Sequence, residues 1–389
     1  MFLEIAILLT ILIILPDIYI YRAYIHKVPA RKGLKLLYFI PTFLLLVGLC
    51  LFPFIKGAEM SPKQMIYFGW FLVSFFLFVL PKILFVLCVI LGWPFRHVFH
   101  CPRFPFTLMG LILAILLAGM ILHGATIGRT HFVVKEVDFH SPELPKGFEG
   151  YRIVQISDLH TAGWIGYEEE LQKAIQLIND QKADMIVFTG DLINGRAEEL
   201  NDFGTIYKQL RAKDGVYSIM GNHDYGSYIH WKSKVEEQAN IDSLKLKEDS
   251  FGWKMLNNEN KIIYHQGDSI ALIGVENCGE RRFPGRGNLK EALIGVKDIP
   301  FKILLTHNPK HWREEVLPTT DIELSLSGHT HAWQISVAGY SPAVFMYPEW
   351  QGMYSEGKQS LYVNDGLGVL GFPMRIGAWP EITVITLRK

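Results

Sequence analysis

Arg152-Ile153-Val154-Gln155-Ile156-Ser157-Asp158-Leu159-His160 is a short apolar run that stops on a carboxylate and an imidazole two residues apart. It reads as a strand from Arg152 to Ser157, with Asp158 and His160 on the loop at its end. The plan recurs down the chain. Met185 to Thr189 stops at Gly190-Asp191-Leu192-Ile193-Asn194, and Val216 to Met220 at Gly221-Asn222-His223-Asp224. Phe301 to Thr306 stops at His307-Asn308, and Ile322 to Ser327 at Gly328-His329-Thr330-His331. Between these runs, Tyr167 to Asp180 has helical spacing at Leu171, Ala174, Ile175 and Ile178, and Ala197 to Arg211 reads as a second helix. Ile270 to Val275 is a further strand, and strands near Gln334 to Val337, Ser360 to Val363 and Ile382 to Leu387 suggest a second sheet. Alternation of this kind makes a mostly parallel or mixed sheet in an α/β arrangement, whose rigid strand ends aim the loop residues.

One such motif means little, because Gly-Asp and Asn-His suit any turn and a lone histidine is usually a hydrogen-bonded structural residue. Five in succession, each at the end of a predicted strand, are not explained by turn chemistry. Two divalent ions held about 3.5 to 4 Å apart repel each other and need a bridging carboxylate with several further ligands. Asp191 is the best bridge. Carboxylate, amide and imidazole ligands without a thiolate suit manganese, iron or zinc. A water held between two such ions loses a proton near neutral pH and can attack a phosphorus whose oxygens the ions also bind.

The ordered set Asp-x-His, Gly-Asp-x-x-Asn, Gly-Asn-His-Asp, His and Gly-x-His resembles the calcineurin-like metallophosphoesterases. The resemblance implies an α+β mixed-sheet sandwich flanked by helices and a phosphohydrolase using two divalent metal ions. Asp158, His160, Asp191 and His331 would hold the first ion, and Asp191, Asn222, His307 and His329 the second. His223 would face the scissile phosphate, stabilising charge or protonating the leaving oxygen. Many members orient that histidine with a carboxylate where this chain has Asn194. Gly366-Leu367-Gly368, Pro373-Met374-Arg375 and Pro380-Glu381-Ile382 look like the closing segment of the membrane-associated bacterial YaeI/YkuE-type phosphodiesterase branch, which implies phosphodiester or pyrophosphate bonds, lipid-linked ones among them. Relatives of that type have a shorter hydrophobic amino-terminal segment.

Half of the 389 residues are hydrophobic, which is high for a soluble enzyme, and almost all of the excess precedes Arg129. Apolar blocks at residues 5–21, 36–55, 65–92 and 104–123 approach or exceed the roughly 20 residues a helix needs to cross a bilayer. Residues 1–128 are therefore a transmembrane region of about four helices, and 129–389 the metallophosphoesterase domain. The start lacks the basic residues and small-residue cleavage site of a signal peptide, which favours an uncleaved anchor. Arg22, Lys27, Arg31, Lys32 and Lys35 place the first connector inside. With four spans, Arg96 and Arg103 are inside too, and the catalytic half faces the exterior of a bacterial cytoplasmic membrane.

Cys50, Cys88 and Cys101 lie in the membrane region and Cys278 stands alone in the rest, so neither a disulfide framework nor a CxxC zinc site exists. A formal net charge of zero, with no basic run in the second part, argues against nucleic acid as the main partner. A non-catalytic metal- or nucleotide-binding membrane sensor is the alternative class, although such degenerate enzymes usually lack ligands that this chain retains. Arg375 could contact a substrate phosphate or make a salt bridge. Trp164 and Tyr225 are expected to pack their loops, and His311 to serve behind a ligand. Asp17 and Lys82 are expected near span ends, with the lysine snorkelling.

Overall fold

The computed structural model describes residues 2–51, 60–99, 102, 104–280 and 283–389. Residues 52–55 of the second expected span, and connector residues Cys101 and Arg103, lie outside these. The chain divides into two compact units, Met1–Ile127 with Gly371–Met374, and Gly128–Leu370 with Arg375–Lys389.

The first unit is helical: α1 (Phe2–Ala23), a short α2 (Lys32–Leu36), α3 (Ile40–Leu51), α4 (Pro62–Val98) and α5 (Phe104–Thr126). It supplies four apolar segments long enough to cross a membrane, Glu4–Lys27, Lys32–Leu51, Pro62–Phe99 and Phe104–Thr130. Leu44, Leu91 and Ile115 face outward, as lipid-facing side chains do. Ser61 starts α4 by accepting from the Gln64 amide while Gln64 accepts from the Ser61 amide, and Pro62 occupies the first turn. The helix then runs through Pro81 without a break. Ile13, Leu45, Phe75 and Val79 form the apolar centre. Asp17 does not sit beside a snorkelling Lys82. Its carboxylate is buried, accepts from Tyr38 at 2.8 Å and from Thr42, and pairs with the Lys82 ammonium at 2.6 Å. Within a lipid-facing bundle, neither charge could remain without the other.

In the second unit the strands are β1 (Val133–His140), β2 (Arg152–Ile156), β3 (Met185–Phe188), β4 (Val216–Ser218), β5 (Trp253–Met255), β6 (Glu259–His265) and β7 (Asp268–Gly274). They continue with β8 (Gly279–Glu280), β9 (Phe283–Pro284), β10 (Lys302–Leu305), β11 (Leu324–Ser327), β12 (Gly352–Glu356), β13 (Gln359–Val363) and β14 (Glu381–Arg388). One six-stranded sheet has the order β1-β14-β2-β3-β4-β5 and the other β12-β13-β11-β10-β7-β6. Inward side chains of both, including Ile153, Val187, Ile303 and Leu326, form the core between the sheets. The outer face of the first sheet is covered by α6 (Glu168–Asp180) through Leu171, Ile175 and Ile178, and by α8 (Lys234–Phe251) through Ile241 and Leu244. Helix α6 shows the one-sided apolar spacing that such packing requires, whereas α8 leaves Val235 and Leu246 exposed and buries Glu248 beside its apolar contacts.

Three expectations change. Ala197 to Arg211 is not one helix: a turn at Ala197–Leu200 and α7 (Gly204–Tyr207) are separate, because Glu199 turns its carboxylate inward onto loop amides. Gln334 to Val337 is not a strand, since Gln334 has a positive φ and only isolated bridges, Ile335 to Ile376 and Val337 to Tyr340, form nearby. The final strand, β14, joins the first sheet between β1 and β2 instead of the second.

Glu248 of α8 is buried beneath β4 with Ser218 donating to it at 2.6 Å. Burial, with the nearby Asp224 charge, pushes its carboxyl from 4.5 up to about 8. The folded protein therefore keeps a proton that the unfolded chain releases, and stability falls as pH rises through that window. Glu248→Gln, which mimics the protonated form, should flatten this fall and raise the unfolding midpoint at pH 8 by a few degrees in calorimetry of the purified protein. An unchanged slope would refute the assignment.

Candidate metal centre

The five motif loops leave the carboxyl ends of β2, β3, β4, β10 and β11, so both sheets deliver side chains to one place. Backbone bonds tie the loops together: Asp158 donates to Gly190, His160 to Asp191, and Gly328 to His307. The approach leaves no room for side chains at two glycines. A Cβ on Gly221 would strike the Asp191 carboxylate, and one on Gly328 the Ser157 hydroxyl and the Asp158 carboxylate. Asp158, His160, Asp191, His329 and His331 all have positive φ, between 44° and 73°. Non-glycine residues held in that region are strained and cluster at functional sites.

Two groups of candidate metal-binding residues result, Asp158 with His160 and His331, and Asp191 with His307 and His329. In the first, His331 Nε2 lies 3.1 Å from both His160 Nε2 and Asp158 Oδ1. In the second, His307 Nε2 lies 3.2 Å from Asp191 Oδ2, 3.1 Å from His329 Nδ1 and 3.0 Å from Asn222 Oδ1. Asp191 Oδ2 is also 3.7 Å from His160 Nε2, which puts this carboxylate between the groups. His307 Nδ1 faces the Thr189 carbonyl at 2.8 Å. A carbonyl can only accept, so Nδ1 keeps its proton and Nε2 is the atom that faces the group, offering a lone pair once the ring is neutral.

Burial alone would raise the Asp158 and Asp191 carboxyls, yet the imidazoles of His331 and His307 hold them well below the usual carboxylate range. Burial and the adjacent His331 and His223 push His160 well down, leaving it neutral. Burial also opposes charge on His307, but Asp191 raises it to about 9. Asp158 Oδ1 is buried, and among the described residues it has the 3.1 Å ion-pair contact with His331 Nε2 but no aligned hydrogen bond. Lone pairs converging on a dry cluster of acids and imidazoles fit divalent cations, and no thiolate takes part.

His223 stands beside this cluster. Its ring meets that of His160 edge-on at 5.0 Å and stacks on Tyr228 at 4.5 Å, while its backbone amide donates to Asp191 Oδ1 at 2.8 Å. Orientation comes from Asn194, but not from its side chain. His223 Nδ1 lies 2.9 Å from the Asn194 backbone carbonyl, whereas Asn194 Oδ1 is buried without a hydrogen-bond partner among the described residues.

Two residues that the sequence reading left without a role hold the loops. The Asp224 carboxylate accepts from the amides of Asp191, Leu192, Ile193 and Gly221. Glu199 accepts from those of Ala162, Asn194, Gly195 and Arg196. Asp224 was legible as part of its motif. Glu199, in the acidic pair Glu198-Glu199, looks like an ordinary first-turn charge. Arg375 is corrected as a substrate contact. It is fully buried, its guanidinium donates to the carbonyls of Gly368, Ala378, Asp365 and Gly366, and Nη2 reaches His331 Nδ1 at 3.3 Å. Trp164 and Tyr225 are buried, bonded to the Leu159 carbonyl and to Glu276, and His311 bridges Thr306 and Glu315.

A two-sheet sandwich with acid and imidazole groups at its strand ends defines a metal-dependent phosphoesterase class. Residues 151–333 match the model of the calcineurin-like phosphoesterases, and residues 3–129 a model described as a probable calcineurin-like phosphoesterase transmembrane domain. The chain is 32% identical over 289 residues to the uncharacterized metallophosphoesterase YkuE of Bacillus subtilis, covering 70% of this chain and 94% of that one. A transmembrane protein with metallophosphoesterase domain from Danio rerio is 30% identical over 290 residues, 73% of this chain and 63% of its own length. An uncharacterized metallophosphoesterase of Campylobacter jejuni is 29% identical over 264 residues, 66% of this chain and 63% of its own length. The chain belongs to the calcineurin-like metallophosphoesterase family, and it is an integral membrane member of it.

Glu199→Ala should leave four loop amides without their acceptor and release the Asn194 carbonyl from His223. Turnover of an aryl phosphodiester is expected to drop about 10- to 100-fold with metal content unchanged, as for other groups behind a site. Glu199→Gln should recover part of the loss. Full activity in Glu199→Ala would show that the loop needs no such support.

Proposed function

We propose that the protein is a membrane-anchored phosphohydrolase that cleaves phosphodiester or pyrophosphate bonds, lipid-linked ones among them, with two divalent ions. The observation that carries this is the convergence of two largely buried candidate ligand groups on Asp191, with His223 beside them. Asp158, His160, Asp191 and His331 would hold one ion, and Asp191, Asn222, His307 and His329 the other, with manganese, iron or zinc all suited to the donor set. Bound there, the ions would acidify a water for attack on phosphorus and neutralise the phosphate oxygens. The chain's own groups supply the rest. His160 offers a neutral ring. Asn222 is steadied by its amide donating to Tyr228 at 2.8 Å, and Tyr347 meets His329 Nε2 at 2.9 Å, leaving Nδ1 for the ion. Because His223 Nδ1–H donates to the Asn194 carbonyl, Nε2 is the atom that can serve the leaving oxygen. The spans and the family's known bond class support lipid-linked phosphoesters as substrates, and the basic first connector supports a catalytic unit outside a bacterial cytoplasmic membrane.

His223→Ala should retain two metals by elemental analysis and lose turnover of an aryl phosphodiester in Mn²⁺ by at least about 100-fold, within the range of general acid catalysis. Two bound metals without hydrolysis of any phosphoester by the parent protein would instead support the sensor alternative. Alkaline phosphatase fused after Lys389 should be active in bacterial cells. A fluorescent fusion at that point that lights up in the cytoplasm would reverse the orientation.

A further inference from the structure

The segment from Thr330 to Pro348, between β11 and β12, contains no Asp, Glu, Lys or Arg. It starts among the candidate metal residues His329 and His331 and ends at Tyr347, whose hydroxyl meets His329. Its apolar side chains stand in solvent: Phe345 is 89% exposed, Tyr340 80%, Val337 50%, Val344 and Met346 49% each, and Trp333 43%. Elsewhere in this unit, exposed large apolar residues such as Val235, Leu246 and Ile294 are isolated in sequence, and isolated ones need no explanation. A run of six within fourteen residues does.

The exposure is built in. His331, Ala332, Trp333 and Gln334 all have positive φ, a left-handed turn without a glycine. Gln334 clamps Leu370 from both sides, its amide donating at 3.0 Å and its carbonyl accepting at 2.7 Å. Ser341 donates to the Ala332 carbonyl at 2.6 Å and accepts from the Ala343 amide, while Ser336 donates to Ile376. The loop is held in shape with the rings of Trp333, Tyr340 and Phe345 outward.

We infer that this loop is an interfacial docking surface, laying Tyr340, Phe345 and Trp333 into the headgroup boundary of a lipid bilayer beside the candidate metal centre. Two observations select lipid over a protein partner. The composition, aromatic and aliphatic without charge, is what enters the boundary region, where Trp and Tyr satisfy an apolar body and a polar tip together. The chain also carries four membrane segments, the last running into the first residues of this unit, so a bilayer is tethered to the loop at high effective concentration. Affinity too weak to hold a free protein on a membrane is then sufficient. The inference rests on the lipid-linked substrate reading above only for what the docking achieves, which is presentation of a membrane-embedded phosphoester to the metals.

The test uses the full-length protein in phosphatidylcholine–phosphatidylglycerol nanodiscs, with its cysteines replaced by serine. Tyr340→Cys, Phe345→Cys and, as a control on α8, Ala239→Cys are labelled with an environment-sensitive fluorophore. Labels at 340 and 345 should shift to the blue and be quenched by lipids spin-labelled near the headgroup, and the label at 239 should not. Labels at 340 and 345 that stay in water, or are shielded without lipid quenching, overturn the docking, the second result pointing to a protein or a second copy of the chain. In parallel, the Tyr340→Ser, Phe345→Ser double variant should lose about tenfold, or about 1.4 kcal/mol, in kcat/KM on vesicle-embedded diacylglycerol pyrophosphate. Its turnover of water-soluble bis(p-nitrophenyl) phosphate should be unchanged, which also shows that it folds. Equal activity of parent and variant on the embedded probe overturns the presenting role. Lipid quenching in a parent protein that hydrolyses only the soluble probe supports the docking and defeats the lipid-linked substrate reading instead.

Discussion

Two ionised carboxylates, Asp158 and Asp191, are held out of water within reach of four imidazoles and one amide oxygen, and this is the constraint the catalytic unit is built around. Buried acids in such a cluster cannot stay charged without compensating positive charge. Protonated His307 supplies part of it in the metal-free chain, and divalent ions fit the same place better because they take the lone pairs directly. The cluster also demands close backbone approach. That is why glycine stands at 221 and 328, and why five of the contributing residues have left-handed backbones. Neither feature would persist unless the strands beneath were rigid, and the core between the two sheets is fully buried. Asp224 and Glu199 extend that rigidity into the loops, each gathering four amides that would otherwise need water.

Much of this was legible because ligand chemistry and strand periodicity coincide. An apolar run that stops on an acid or histidine names both the strand and its loop, and all five such runs are strands that end within two residues of the expected place. The missed features share a cause, which is that backbone atoms did the work. His223 is oriented by a carbonyl, which every residue possesses, so the side chain at position 194 carried no information about it. Arg375 is consumed by four carbonyls of a glycine-rich loop, and nothing in its neighbours announces that a guanidinium will be buried there. Gln334 to Val337 has the composition of a strand, but its backbone is committed to the left-handed turn after His331. The helix expected from Ala197 fails because an inward Glu199 serves loop amides better than a helical turn.

In the helical unit the error ran the other way. Asp17 and Lys82, seen separately, look like charges that must escape to a membrane surface. They are 65 positions apart, on α1 and α4, and their pairing is a tertiary fact. With Tyr38 and Thr42 also bonded to Asp17, a single carboxylate joins three membrane helices. A polar group satisfied in this way within an apolar bundle limits register and rotation more than dispersion contacts can, because any slip strands a charge in hydrocarbon.

The left-handed run from His331 to Gln334 ties ligand geometry to surface chemistry. Each non-glycine residue in that conformation costs about 1–2 kcal/mol relative to an ordinary turn, so four in a row survive only where the surroundings over-determine them. The clamp of Gln334 on Leu370, the Ser341 bond to Ala332 and the Arg375 support of His331 do that together. One stretch of backbone thus turns the His331 ring toward Asp158 and the Trp333 ring outward. Relaxing the turn would relieve the strain and lose both at once, so an uncharged, outward-facing loop and an intact ligand set depend on the same few hydrogen bonds.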